Sequence, residues 1–190
     1  KGDKVSGVTT MLTDDGVDCG DILIMHEIEV DINEDTVGLT EKMSVEGAGV
    51  MLKTLIGLKN GTIKPVPQNH NLATKAPKLK KSLGNIKWEK STFDIHNTVR
   101  GRKPWPGAFT YHNDLIIKLH KTLIPDDMVS CDQATPGCIK EITKNSIQVY
   151  TGDGFIDIVE VQPPNKSIMK AADWARGAHL KPGDCFVRQV

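Results

Sequence analysis

Between residues 12 and 22 the chain runs Leu12-Thr-Asp-Asp-Gly-Val-Asp-Cys-Gly-Asp-Ile22. Asp14, Asp15, Asp18 and Asp21 share those eleven positions with Gly16 and Gly20. Apolar, β-branched runs flank them: Gly7-Val-Thr-Thr-Met11 on one side and Ile22-Leu-Ile-Met25 on the other. Such runs read as buried strands, and the Gly/Asp cluster as their connection. Both residue types form turns readily, so a solvated turn explains the composition. Four crowded carboxylates also repel one another, and like charges at short range raise a carboxylate's pKa, which prepares an acid for proton transfer. Composition leaves both readings open.

Outward from this stretch, the pattern predicts strands over 5–12 and 21–30. Asn33-Glu-Asp-Thr36 follows, with Asp35 or Thr36 as N-cap and Glu34 and Asp35 near the positive end of the helix dipole. A helix is predicted from Val37 to Leu58. Leu39, Met43, Val50, Leu52, Leu55, Ile56 and Leu58 recur at helical spacing and read as its core-facing stripe, with Gly47 and Gly49 breaking it in two. Asn60-Gly61 is a stop signal, and Pro65 and Pro67 prevent resumption. Two strands and one helix cannot close a sheet: edges stay unpaired and a helix face stays wet. The expectation is that polypeptide precedes Lys1, or that another chain covers this part. A start at Lys1 rather than Met fits a fragment or a processed product.

Residues 69–83 read as a linker, polar and aperiodic, with Pro77 and with Lys75, Lys78, Lys80 and Lys81 along it. A solvated strap and a phosphate-tracking one both fit. From Gly84 a second domain is predicted. Ser91 caps a helix from Thr92 to Arg100 whose apolar face holds Phe93, Ile95, His96 and Val99, with His96 read as a buried, hydrogen-bonded histidine rather than a ligand. Pro104-Trp-Pro-Gly107 ends it. Short β segments follow at 108–111, 115–119, 137–142, 146–150 and 155–161, separated by His112-Asn-Asp114, Lys144-Asn145 and Gly152-Asp-Gly154; that spacing suggests a small barrel. A last helix is predicted over 170–176.

The 190 residues carry no net charge, yet the halves differ. Residues 1–68 hold 6 Lys/Arg against 12 Asp/Glu, a balance of −6, and residues 69–190 hold 18 against 12, a balance of +6. An acidic half joined to a basic half suggests one part for chemistry and one for a polyanion. No apolar run approaches the ~20 residues of a membrane span, and no signal-peptide core opens the chain, so a soluble protein with no membrane partner is expected. Cys19, Cys131, Cys138 and Cys185 lie scattered without a Cys-x-x-Cys or a nearby His; they read as free thiols in a reducing compartment, with no metal site.

Asp14-Asp-Gly16 followed by Val17-Asp-Cys-Gly-Asp21 resembles the Asp-x-Gly-x-Asp-Thr-Gly-Asp signature of the folate-dependent formyltransferases, within them the branch that formylates methionyl initiator tRNA. Further motifs resemble that branch in order and spacing along the whole chain: Ala76-Pro-Lys-Leu-Lys-Lys81, Ile86-Lys-Trp88, Val99-Arg-Gly-Arg-Lys-Pro-Trp-Pro-Gly-Ala-Phe109, Gly152-Asp-Gly154, Val161-Gln-Pro-Pro-Asn-Lys166 and Leu180-Lys-Pro-Gly-Asp184. Each is weak alone, and their combination is specific.

The resemblance implies a fold: an α/β remnant of a Rossmann-like catalytic domain over 1–68, a basic linker over 69–83, and a β-rich, OB-like open barrel over 84–190 that binds tRNA. It implies transfer of a formyl group from 10-formyltetrahydrofolate, a co-substrate, to the amino group of methionyl initiator tRNA, by a monomeric enzyme of the cytoplasm or an organellar matrix. Asp18 matches the family's catalytic carboxylate. Asp14, Asp15, Gly16, Gly20 and Asp21 match the loop around it. Lys78, Lys80, Lys81, Arg100, Arg102 and Lys103 are the implied tRNA contacts, and no metal is implied. Trp88 and Trp105 are candidates for stacking on bases, with a core role the commoner one for Trp.

Departures are equally plain. The family's Asn-x-His and the Ser-Leu-Leu-Pro loop after it are absent, and Asn69-His70-Asn71 lies in the linker. Cys19 stands for the usual Thr, Lys75 for a common Tyr and Lys87 for a common Asp. This chain alone is therefore expected to lack formyltransferase activity. Two other readings remain at this stage: a related enzyme acting on a sugar nucleotide or hydrolysing formyl-folate, and a non-catalytic nucleic-acid-binding barrel with an acidic arm.

Overall fold

The structure, a computed structural model, describes residues 2–126 and 134–186. Contacts divide the chain into two compact units, Asp3–Lys78 and Leu79 onward, with Gly2 belonging to the second.

In the first unit, β1 (Val5–Met11) and β2 (Ile22–Glu29) form an antiparallel pair with Val5 opposite Glu29 and Thr10 opposite Ile24. Val66 extends the pair at Ile22 through two backbone hydrogen bonds, of 2.8 and 2.9 Å. Helix α1 (Thr36–Lys59) starts where the Asp35 carboxylate accepts from the Val37 and Gly38 amides and ends at Asn60, with Gly61 left-handed after it. It runs unbroken through Gly47 and Gly49, contrary to the predicted break. Glycine in a helix interior costs only about 1 kcal/mol relative to alanine, which packing along one side offsets.

The predicted core stripe is also corrected. The buried residues of α1 are Val50, Thr54 and Gly57, while Leu52, Leu55 and Ile56 are 60%, 57% and 51% exposed. Two strands are too narrow to cover the full apolar width of a helix. The side that faces them is set by a buried hydroxyl pair, Thr10 Oγ1 to Thr54 Oγ1 at 2.8 Å, where Thr54 also donates to the Val50 carbonyl.

The second unit opens with a 3-10 turn (Lys81–Gly84), then α2 (Thr92–Gly101), then an antiparallel six-stranded sheet. Its strands are β3 (Ala108–His112), β4 (Leu115–Leu123), β5 (Ile139–Ile142), β6 (Ile147–Tyr150), β7 (Phe155–Gln162) and β8 (Met169–Lys170), in the order β3-β4-β7-β6-β5, with β8 on β7. Helix α3 (Ala171–Gly177) follows. The core is Ile95 and Val99 of α2 with Ile117, Leu119, Ile147, Val149, Ile156, Ile158 and Val161 from the sheet. Alternating apolar residues on each strand supply it, as the period of two requires.

Both edges of the sheet are tied in. Ile86 N donates to the Phe109 carbonyl at β3, and residues 183–186 pair with β5 through Ile139 N to the Asp184 carbonyl and Gly183 N to the Ile139 carbonyl, both at 2.8 Å. Phe186 stacks between Trp88 and Trp174, with ring centroids 6.2 and 6.1 Å away. Thr110 Oγ1 accepts from the Trp88 indole at 3.0 Å and donates to the Phe186 carbonyl at 3.2 Å. Trp88 is thus a core residue and not a stacking platform; Trp105 stays exposed.

A disulfide joins Cys138 to Cys185, against the expectation of free thiols. The two cysteines face each other across an antiparallel bridge, 47 residues apart in sequence, a closeness that spacing alone does not report. Cys19 is free, and Cys131 lies outside the described residues. Among the described residues no helix is long and apolar enough to cross a membrane, and no cluster of His, Cys, Asp and Glu is placed to hold a metal ion.

Candidate functional site

Two places bring the candidate residues together, one in each unit. In the first, the acidic loop between β1 and β2 is closed at its base by Leu12 N to the Asp21 carbonyl, 2.9 Å. Asp14 Oδ1 accepts from Gly16 N at 3.0 Å, an Asx turn that commits this carboxylate to loop shape. Gly20 is required by close approach: a Cβ there would run into the Leu12 carbonyl oxygen. Cys19 donates its thiol to the Val17 carbonyl at 3.1 Å.

Asp18 sits at the turn in left-handed geometry, φ 55°, and its side chain is exposed. Asp and Asn tolerate that region better than other non-glycine residues. What holds it there comes from outside the loop. Gln68 Nε2 donates to the Asp18 carbonyl at 3.0 Å and to the Gly20 carbonyl at 2.6 Å. Two such bonds contribute on the order of 1–2 kcal/mol together. Gln68 was not among the sequence candidates; its signal is its place just after Pro65-Val-Pro67, where the chain returns to β2. Asp14 and Asp15 are exposed and Asp21 half-buried. The loop therefore presents an accessible carboxylate on a backbone fixed from two sides.

In the second unit the bases converge on α2. Ser91 Oγ accepts from Asp94 N at 3.1 Å as N-cap. Asp153 Oδ1, from the β6–β7 turn, accepts from Thr92 N at 2.7 Å and from the buried Thr92 hydroxyl at 2.9 Å. The inner face of the helix packs Ile95, Val99 and His96, whose Nδ1 lies 3.0 Å from Thr122 Oγ1. The outer side, with the 3-10 turn, walls a cleft of about 410 Å³. Arg102, Leu79 and Ser82 line it, while Lys80 and Lys81, between the last two in sequence, are exposed and are not among its lining. Arg100 and Lys103 flank Arg102 in sequence, and Arg100 Nε donates to Asn97 Oδ1 at 2.7 Å. Five of the six predicted tRNA contacts therefore fall in one unit, and Lys78 falls in the other. Lys87 and Lys90, which also line the cleft, were missed as contacts because their neighbours in sequence are a buried tryptophan and a helix cap.

Burial lowers the pKa of Arg102 from its ordinary value. His120 is lowered too, by burial first and then by Lys103 and Lys118, against opposing effects of its Gln162 hydrogen bond and Glu160.

A family model described as the formyl transferase C-terminal domain matches residues 78–179. The chain is 40% identical over 183 residues to a methionyl-tRNA formyltransferase of Ruminiclostridium cellulolyticum, covering 96% of this chain and 58% of that protein. It is 37% identical over 185 residues to one from Agathobacter rectalis, covering 97% and 59%. A solved N-formyltransferase from Helicobacter canadensis, in complex with folinic acid and dTDP-3-aminofucose, has a similar fold, with TM-score 0.63 over 85% of this chain and 57% of that one at 19% identity. The chain thus spans a little under three-fifths of the curated relatives it matches.

Proposed function

The chain belongs to the formyltransferase family, and from that premise we propose that it is the C-terminal part of a methionyl-tRNA formyltransferase, which transfers the formyl group of 10-formyltetrahydrofolate to the amino group of methionyl initiator tRNA. On this reading Asp3–Lys78 is the end of a Rossmann-like catalytic domain. The second unit is an OB-like open barrel, a reading supported by the ties at both sheet edges, and it holds the tRNA. The enzyme works as a monomer in the cytoplasm or an organellar matrix.

In this reaction the amine's lone pair attacks the formyl carbon, the bond from that carbon to N10 of the folate breaks, and the proton the amine loses passes by way of a base to that nitrogen. Asp18 is the proposed acceptor of that proton. Its exposed side chain is open to a substrate, and the Gln68 hydrogen bonds fix its backbone. Such a group contributes roughly 10²–10⁴-fold to rate. Asp14 shapes the loop, and Asp15, Gly16, Gly20 and Asp21 complete it. The exposed apolar side of α1 fits a catalytic domain that needs more polypeptide than these residues.

The observation that carries the assignment is the acid loop, with its left-handed Asp18, in a chain whose second unit matches the formyltransferase C-terminal domain. Two experiments test it. In a gel shift, the 190-residue chain should bind initiator tRNA with an affinity that falls steeply with salt, and Lys80→Glu with Lys81→Glu should weaken binding and flatten the slope. Unchanged binding across the salt series removes these lysines from the interface. In a chimera that completes this chain with the rest of the Ruminiclostridium relative, Asp18→Asn should lower kcat by roughly 10²–10⁴-fold. A chimera indifferent to that change refutes the role of Asp18.

A further inference from the structure

The cleft beside α2 holds more than a row of surface bases. Lys87, Lys90 and Arg102 line it against one acid, Asp94, a local balance of +2. Asp94 is engaged by Lys90 at 4.0 Å. The Arg102 guanidinium is half-buried and has no hydrogen-bond or ion-pair partner among the described residues. Desolvating a guanidinium without an acid is unfavourable, and an incoming anion relieves it. Asn97, in the same wall, also carries an unpartnered donor, but that atom is closed to solvent and lies against Gly2 rather than opening into the cleft. Asn97 uses Oδ1 to accept from Arg100, which leaves Nδ2 buried with no acceptor. Buried amide donors without partners are uncommon in folded proteins. The remaining lining is mixed, apolar at Leu79, Leu83 and Ile95 and polar at Ser82, Asn85 and Thr98. At about 410 Å³ the cleft is within the size of ordinary small-ligand sites.

We propose that this cleft is a binding site for a nucleoside phosphate, with the phosphoryl group on Arg102, Lys87 and Lys90 and the base and ribose against Leu79, Leu83 and Ile95. The lining favours an anion of tetrahedral oxygens over a carboxylate-bearing apolar ligand, because donors outnumber acceptors and include a guanidinium. The proposal does not depend on the tRNA reading: a free nucleotide and one nucleotide of an RNA carry the same chemistry.

The test uses the 190-residue chain, with amide NMR spectra recorded during titration by 5′-AMP, inorganic phosphate and adenosine. AMP and phosphate should saturably shift backbone amides in 79–102, and adenosine should not. Arg102→Met should weaken AMP binding by about 10- to 100-fold, and Lys87→Gln, at an exposed position, by less. An absent response to both AMP and phosphate, or AMP binding unchanged by Arg102→Met, overturns the proposal. An RNA oligonucleotide then identifies the source. Displacement of bound AMP assigns the cleft to RNA, and simultaneous binding assigns it to a free nucleotide; both outcomes uphold a phosphate site. A failed tRNA gel shift beside a positive AMP titration would count against the tRNA reading only.

Discussion

Asp153→Ala is expected to destabilise the second unit by about 2–3 kcal/mol. In the native structure one oxygen of this carboxylate accepts from Thr92 N at 2.7 Å, from Thr92 Oγ1 at 2.9 Å and from Thr151 Oγ1 at 3.2 Å. Thr92 is fully buried and Thr151 nearly so. Removing the acceptor leaves the Thr92 amide at the α2 N-terminus without its partner, since Ser91 caps only Asp94. The two hydroxyls still bond each other at 2.7 Å, which holds the loss below three independent charged hydrogen bonds. Loss of a negative charge at a helix N-terminus adds to it. Asp153→Asn keeps an acceptor but not the charge and should cost about half as much. Tryptophan fluorescence during urea unfolding is the assay, because Trp88, Trp105 and Trp174 all lie in this unit. In a thermal scan followed by the same fluorescence, the midpoint should fall by roughly 8–12 °C, near 4 °C per kcal/mol for a unit of this size. A midpoint within about 0.5 kcal/mol of wild type would refute the claim that this turn holds the helix carrying the cleft.

Three further outcomes are expected. Gln68→Ala should speed amide exchange across Asp18–Asp21 by about 5- to 30-fold while leaving the second unit's unfolding unchanged, and unaltered exchange there would remove the clamp. Replacing both Cys138 and Cys185 by Ser should cost about 2–4 kcal/mol, from the entropy of the 47-residue loop the disulfide closes; the same urea assay checks it, and reduction of the wild type should reproduce it. His120 binds its proton less readily folded than unfolded, so its contribution to stability is present above about pH 6.5 and is lost as pH falls from there through its folded value. His120→Asn should flatten the pH dependence of unfolding between neutral and mildly acidic solution, and an equally steep profile would show that other groups cause it.

Local signals in the chain alone were enough for the capped helices and the longer strands, because caps, stops and periodicity act over a few residues, but not for β8, the 3-10 turn or the continuity of α1. Asp35 and Ser91 cap the helices predicted for them, and the alternating segments after residue 107 became strands. The same local rules misread α1, whose apolar stripe resembles a core face yet lies exposed, since what a helix buries depends on how wide a surface it meets. The acid loop was legible as a loop, but its clamp was not: Gln68 is 50 residues from Asp18. Likewise the lysines and arginines were visible as a basic run, whereas the cleft that gathers Arg102, Lys87 and Lys90 exists only once α2 packs beside the 3-10 turn.

What the sequence determined by itself is most of the elements, the charge asymmetry and the family to which the motifs point. Tertiary structure decided which side chains meet: the Cys138–Cys185 bond, the Asp153 anchor, the side of α1 that faces the strands. The physical reason is range. Backbone propensities and capping are properties of neighbours along the chain, while desolvation, close packing and hydrogen bonds between distant residues depend on positions that only folding assigns.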